Sequence, residues 1–177
     1  MNSILSAPTV VRVAPIETPI GAMLAGATAD HLVCLEFADT RRPATQLRRL
    51  ERAMGGVVEA GESELIALVR RQLDEYFRRE RHEFDIPLHT PGSEFQRRVW
   101  GELRRIPWGE TRSYGDVAKA IGDPAAAREV GRANGENRIA IVIPCHRVIG
   151  SDGKLVGYGG GLWRKRKLLD IEARALA

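Results

Sequence analysis

The sequence predicts an α+β protein in two parts. An N-terminal antiparallel sheet with helices occupies residues 1 to 88, and a mainly helical part with a helix-turn-helix and a glycine-rich loop occupies residues 92 to 177. Three observations carry this division. Short β-branched runs separated by turn residues crowd residues 9 to 38, whereas helical periodicity dominates afterwards. Two prolines flank a short extended piece near residue 90. The charge balance also reverses there: residues 1 to 90 hold 11 Lys+Arg against 13 Asp+Glu, and residues 91 to 177 hold 16 against 10.

In the first part, Thr9 to Val13 is β-branched, Ile20 to Ala25 follows after a proline and glycine turn, and Leu32 to Phe37 completes three antiparallel strands. Cys34 sits inside the last of these and reads as a packing residue. Pro43 to Met54 reads as a helix with Leu47, Leu50 and Met54 on one stripe, stopped by Gly55-Gly56. A longer helix is expected from about Glu62 to Arg79. Its stripe is Leu65, Ile66, Leu68, Val69, Leu73, Tyr76 and Phe77, with Ser63 or Gly61 as cap. Phe84 to Leu88 is a short extended piece, and Met1 to Ala7 reads as a loose tail.

The second part opens with a helix from Ser93 to Arg105, with Phe95, Val99, Trp100 and Leu103 on one face. Tyr114 to Ile121 and Ala125 to Ala133 are two short helices joined by Gly122-Asp123-Pro124. That pattern fits a helix-turn-helix or a plain αα-corner. Ala125, Ala126, Ala127 and Gly131 leave the second helix nearly bare, with Arg128 and Arg132 projecting, as a helix pressed against a groove requires. Ile141 to Ile143 reads as a buried strand halted by Pro144. Gly153 to Gly161 is a loop dense enough in glycine for backbone to approach a ligand. A last helix, Leu162 to Leu176, places Leu168, Leu169 and Ile171 inside and Lys165, Arg166 and Lys167 on a basic edge.

The composition is that of a soluble globular chain, without an apolar run long enough to span a membrane, and no membrane partner is expected. Two cysteines, Cys34 and Cys145, are too few for a disulfide framework. No paired-cysteine spacing supports zinc, so no metal is expected. A cytoplasmic location is expected. The basic second half suits a polyanion, most simply nucleic acid, or a solvated arginine-rich face. It also carries Ile143-Pro144-Cys145-His146-Arg147-Val148. There a thiol at the end of a strand lies beside an imidazole and a fixed charge, a setting expected to lower the thiol pKa and make it a nucleophile. A bare Cys-His pair is more often a buried structural cysteine beside surface residues, and it is the surrounding sequence that favours the nucleophile.

Taken together, these motifs resemble the O6-alkylguanine-DNA alkyltransferases, the methylated-DNA–protein-cysteine methyltransferases. The resemblance runs through Phe95 to Trp100, Ile106 to Thr111, Ser113-Tyr114-Gly115, Arg128 to Gly131, Ile143 to Val148, the glycine loop, and Leu168-Leu169 with Glu172. The first ninety residues match in length and in strand-then-helix order. The resemblance implies a ribonuclease-H-like N-terminal domain and irreversible, single-turnover transfer of an alkyl group from O6-alkylguanine in double-stranded DNA to Cys145. It also implies no cofactor, a monomer, and a target flipped out through the minor groove. O4-alkylthymine stays open as a second substrate.

Residue by residue, the resemblance makes His146 the base acting through a water and Glu172 the group that orients it. Tyr114 donates toward the purine ring and presses the neighbouring phosphate. Asn137 pins the cysteine's turn. Arg128 enters the base stack, with Ala126, Ala127, Gly131 and Arg132 on the same DNA-facing helix. Carbonyls at Cys145 and Val148 accept from the exocyclic amine, Tyr158 covers the alkyl group, and amides near Gly159 and Gly160 face the alkylated oxygen. Two positions depart from common family patterns: Glu129 puts an anion beside Arg128, where it could pair with Arg132, and Asn134 stands where some members carry a larger apolar residue beside the pocket. Other readings of the same residues are a lesion-binding relative without transfer, a helix-turn-helix regulator with an inert thiol, and a cysteine hydrolase.

Overall fold

A computed structural model describes residues 8–40 and 43–173. The expected tail, Met1 to Ala7, and the end of the expected last helix lie outside them. Seven elements build the first part: β1 (Val10–Ile16), β2 (Met23–Ala27), β3 (Leu32–Phe37), α1 (Pro43–Met54), β4 (Val57–Ala60), α2 (Glu64–Phe77) and an extended stretch up to Leu88. The strand order is β3-β2-β1-β4. β1, β2 and β3 pair antiparallel as expected, but β4 runs parallel to β1, with Val10 opposite Val57 and Val13 opposite Ala60. The sheet is therefore mixed rather than antiparallel. β4 is a four-residue strand recruited by β1 after the glycine stop of α1, a non-local pairing that local pattern does not announce.

Alternation along the strands sorts side chains to opposite faces. Val11, Val13, Val33 and Cys34 cluster with Leu50 of α1. Ile16, Ala25, Leu35 and Phe37 cluster with Ile66, Val69 and Leu73 of α2. Ser63 caps α2 by accepting from the Ile66 N–H at 3.1 Å. Gln72 holds the extended stretch by a reciprocal pair of hydrogen bonds with the backbone of Asp85.

The second part comprises α3 (Glu94–Leu103), β5 (Arg112–Ser113), α4 (Tyr114–Ala120), α5 (Ala127–Gly135), β6 (Val148–Ile149) and α6 (Leu162–Glu172). Ser93 and Ser113 each form a capping box, with Gln96 and Asp116 respectively, which fixes the starts of α3 and α4. α3, α4 and α5 pack together, and the Trp100 indole N–H bonds the Ala133 carbonyl at 2.8 Å. α5 begins two residues later than expected, because Ala125 remains in the turn and Ala126 is the N-cap.

The two parts share one apolar cluster, in which Leu35, Phe37 and Tyr76 join Val99, Trp100, Val130, Ile143 and Cys145. The free edge of β3 is covered by the segment leading to the cysteine: Leu35 N–H bonds Arg138 O at 2.7 Å, and Ala140 N–H bonds Leu35 O at 2.9 Å. β5 pairs with β6, so the start of α4 is stitched beside the residues that follow Cys145.

Candidate active site

The expected strand at Ile141 to Ile143 does not form. The Val142 N–H bonds Ala140 O at 2.9 Å across Ile141, whose φ of 72° lies in the left-handed region that a β-branched residue avoids. The Cys145 N–H then bonds Ile143 O at 2.8 Å across Pro144, at φ −81° and ψ 62°. These are two successive γ-turns, the first of the rare strained hand. Asn137, just beyond α5, spans the first of them. Its Oδ1 accepts from Ile139 N–H at 3.0 Å, and its Nδ2 donates to Ile143 O at 2.9 Å. Strain of this kind persists only where surrounding contacts over-determine it. Here Asn137 and the β3 edge do so, and they deliver Cys145 to the start of a single 3-10 turn, Cys145–Arg147.

Cys145 and Cys34 are both free thiols. Cys145 is 6% exposed, yet it lines a cavity of about 50 Å³ together with Phe37, Asn134, Asn137, Tyr158, Gly159 and Gly160. Burial pushes its pKa above the ordinary thiol value. Asn137, the charge of Lys165 and the backbone N–H groups of Cys145 and His146 pull the other way without overcoming it. The expectation of a lowered thiol pKa is therefore corrected: desolvation dominates, and the resting sulfur is a protonated thiol. The reason is partly that Arg147 does not face it. The guanidinium turns away, donating through Nε to Glu172 Oε2 at 2.8 Å, through Nη2 to Glu172 Oε1 at 3.0 Å and through Nη1 to Ile106 O at 2.5 Å.

His146 is fully buried, with Nε2 2.7 Å from Glu172 Oε1. Burial lowers its pKa below the ordinary imidazole value, against the raising influence of Glu172. The ring is thus neutral at pH 7. Burial alone would raise the Glu172 pKa, but hydrogen bonds and charge from His146 and Arg147 hold it down to about 2. An ionised carboxylate fixes the Nε2–H tautomer and leaves the Nδ1 lone pair as the basic site. Nδ1 has no protein partner among the described residues. The carboxylate and imidazole are thus joined directly, and Cys145, with its thiol, is the neighbour of His146 in the same 3-10 turn.

Around this core, the Tyr114 hydroxyl donates to Val156 O at 3.0 Å, and its ring lies against Gly131, where an added Cβ would meet it at 3.7 Å. Tyr158 packs edge-on to Phe37, and its hydroxyl has no partner among the described residues. Gly160 is required by close approach: a Cβ would lie 2.7 Å from Phe37 and 2.8 Å from Tyr158. Asn134 is buried, with Nδ2 3.4 Å from Cys145 O. Cys145 O also accepts the Val148 N–H, and Val148 itself is fully buried.

On α5, Arg128, Glu129 and Arg132 are exposed, and Ala127 and Gly131 are half-buried. Ala126 is 6% exposed and packs inward, so it is removed from the set of surface-facing residues. No ion pair joins Glu129 to Arg132 among the described residues.

Four further residues contact the site or its wall and lie outside the set expected from the sequence. Lys165, expected on a basic edge, is fully buried and donates through Nζ to Val156 O at 2.8 Å and Gly157 O at 3.1 Å. Desolvation pushes its pKa down to about 8, and it is the cation whose charge reaches Cys145. Its spacing with Leu168 and Glu172 (i, i+3, i+7) was the readable signal. Phe37 brings the first part into the cavity wall. Arg164 ties that wall to α6, bonding Asp39 through both carboxylate oxygens at 2.9 Å and also Ile20 O and Gly160 O. Tyr76 donates to Glu172 Oε1 at 2.7 Å. Among the described residues, no helix is long and apolar enough to cross a membrane, and no cluster of three or more His, Cys, Asp or Glu could hold a metal ion.

Residues 94–174 match the family described as 6-O-methylguanine DNA methyltransferase, DNA binding domain, and residues 11–90 match its ribonuclease-like domain. The methylated-DNA–protein-cysteine methyltransferase of Mycolicibacterium paratuberculosis is 51% identical over 161 residues, covering 90% of each chain. The constitutive enzyme of that name from Bacillus subtilis is 39% identical over 162 residues, covering 88% of this chain and 92% of its own. The crystal structure of Mycobacterium tuberculosis O6-methylguanine methyltransferase superposes with a TM-score of 0.79 at 43% identity, over 92% of both chains. A structure of the Mycobacterium tuberculosis protein in complex with DNA gives 0.78 at 43% identity, over 94% of this chain and 96% of that one.

Proposed function

The chain belongs to the 6-O-methylguanine DNA methyltransferase family, and from that premise we propose that it repairs O6-alkylguanine in double-stranded DNA by moving the alkyl group onto Cys145. The observation that carries the reading is the Glu172–His146 pair held next in sequence to a thiol that lines a cavity.

His146 takes the thiol proton at Nδ1 through one water, and Glu172 stabilises the imidazolium that forms. The sulfur attacks the alkyl carbon, an S–C bond forms, and the C–O6 bond breaks. The electron pair passes into the purine, which recovers a proton, so that the thiol's proton is formally returned to the restored guanine. Because the resting thiol is protonated, deprotonation is coupled to an occupied pocket. The thioether is not reversed, so each molecule acts once and no cofactor enters.

The target base reaches Cys145 by leaving the duplex. α5 lies in the minor groove with Gly131 close to backbone, Arg128 fills the vacated place in the stack, and Arg132 contacts phosphate. The hydroxyl of Tyr114 exchanges its Val156 partner for the purine. Tyr158 covers the alkyl group, the amides at Gly159 and Gly160 face O6, and Val148 O accepts from the exocyclic amine. Asn137 keeps Cys145 at the cavity wall, and Asn134 shapes the cavity floor. The protein acts as a cytoplasmic monomer, with the two domains meeting across residues 88–92. A duplex carrying a radiolabelled O6-methyl group tests this: label should move to the protein and not to a Cys145→Ala variant, and equal labelling of that variant would refute the assignment.

A further inference from the structure

The geometry points to Tyr76 as a positioning residue for alkyl transfer, holding the Glu172 carboxylate against His146 from the N-terminal domain. The inference rests on the alkyl-transfer reading above and extends it to a domain that otherwise contributes only a cavity wall.

Tyr76 is fully buried on α2, in line with Ile66, Val69 and Leu73, where a phenylalanine would fill the same space. Its hydroxyl is nevertheless aimed at one atom. The ring is fixed by Phe77, Phe84 and Trp108, with centroids 5.3, 5.5 and 5.1 Å away. The O–H then donates at 2.7 Å to Glu172 Oε1, the same oxygen that meets His146 Nε2 at 2.7 Å. Glu172 is the last residue of α6, where a side chain has least support from its own helix. Tyr76 and Arg147 therefore hold the carboxylate from two sides, and His146 takes the remaining position.

Donors on Oε1 also set its basicity. Each one lowers the affinity of the carboxylate for a proton and moderates its pull on the imidazole N–H. The hydroxyl stays protonated and able to donate, because burial, reinforced by the Glu172 charge, pushes the Tyr76 pKa well above its ordinary value. The other charged or titratable groups that bear on the Glu172–His146 pair are Arg147 from the 3-10 turn, Lys165 from α6, and Tyr158 from the glycine loop, which bears on Glu172 alone. Without the Tyr76 hydroxyl, Oε1 becomes more basic, His146 holds a proton more tightly, and the neutral base is populated only at higher pH.

The test is single-turnover transfer by the full chain from a saturating O6-methylguanine duplex, followed across pH. Tyr76→Phe should slow the rate constant about tenfold at neutral pH, as loss of a hydrogen bond to a charged group predicts. It should also move the acid limb of the profile upward by about half a pH unit while leaving duplex affinity unchanged. Replacement of Tyr76 by 3-fluorotyrosine keeps the hydroxyl and the fold but strengthens the donor, and should move the acid limb downward. If Tyr76→Phe does not fold, the fluorotyrosine shift alone decides. A limb unmoved in either variant, or a Tyr76→Phe rate equal to the parent's, would overturn the role of Tyr76. Failure of the parent itself to form an adduct would instead overturn the alkyl-transfer reading.

Discussion

Arg147 and Glu172 are joined through two parallel hydrogen bonds, Nε to Oε2 at 2.8 Å and Nη2 to Oε1 at 3.0 Å, with both side chains buried. A pair of this kind is a strong local constraint, and removing one partner leaves an uncompensated charge in the interior. Arg147→Met should therefore destabilise the fold by about 3–5 kcal/mol. Urea unfolding of the variant against the parent measures it, and a loss within about 1 kcal/mol would show that water reaches Glu172 freely.

Stability should fall on acidification in two overlapping stages. Burial holds the folded-state pKa of His146 below its unfolded value of 6.5, so the unfolded chain takes up that proton first, and stability declines as pH drops below about 6.5. Glu172 is held near 2 against an unfolded 4.5, so its contribution is complete above about 4.5 and is lost as pH falls toward 2. The Glu172 stage is on the order of 3 kcal/mol. Urea midpoints measured from pH 7 to pH 3 should fall throughout; a flat profile contradicts both assignments.

Arg128 is exposed on α5 and has no ion-pair partner among the described residues, as a side chain entering a base stack requires. Arg128→Ala should slow repair of duplex O6-methylguanine about tenfold or more, while reaction with free O6-benzylguanine stays within about twofold, since only the duplex must be unstacked. Equal losses on the two substrates would remove Arg128 from the flipping step.

A methyl group at Gly160 meets Phe37 at 2.7 Å and Tyr158 at 2.8 Å. Both rings line the cavity that Cys145 also lines, so relieving the strain moves a cavity wall. Gly160→Ala should cost about 1–3 kcal/mol in stability. It should also slow transfer from free O6-benzylguanine about tenfold or more, because a displaced wall misplaces the alkyl carbon. An unchanged rate would place the alkyl group elsewhere.

The site was legible where chemistry lies in a short run. Cys145 and His146 are adjacent in a specific motif, and the resemblance adds Glu172 from the last helix. It failed where tertiary constraint overrides local preference. Ile141 to Ile143 has the composition of a strand, but Asn137 and the β3 edge force it through a γ-turn. The basic edge Lys165 to Lys167 reads as solvated, yet Lys165, like the preceding Arg164, turns inward because the loop carbonyls and Asp39 supply partners that only the fold brings near. Tyr76 carries a signal of its own: a tyrosine on a buried stripe needs a partner for its hydroxyl. β4 offered four residues and a partner strand more than forty positions away, which no local pattern can reveal.

The most direct measurement is intact mass after incubation with excess O6-methylguanine duplex. One added methyl per molecule, mapped to Cys145 and not increasing with time, is the predicted result. No adduct, an adduct at Cys34 instead, or lesions repaired in excess of protein molecules would contradict the proposal.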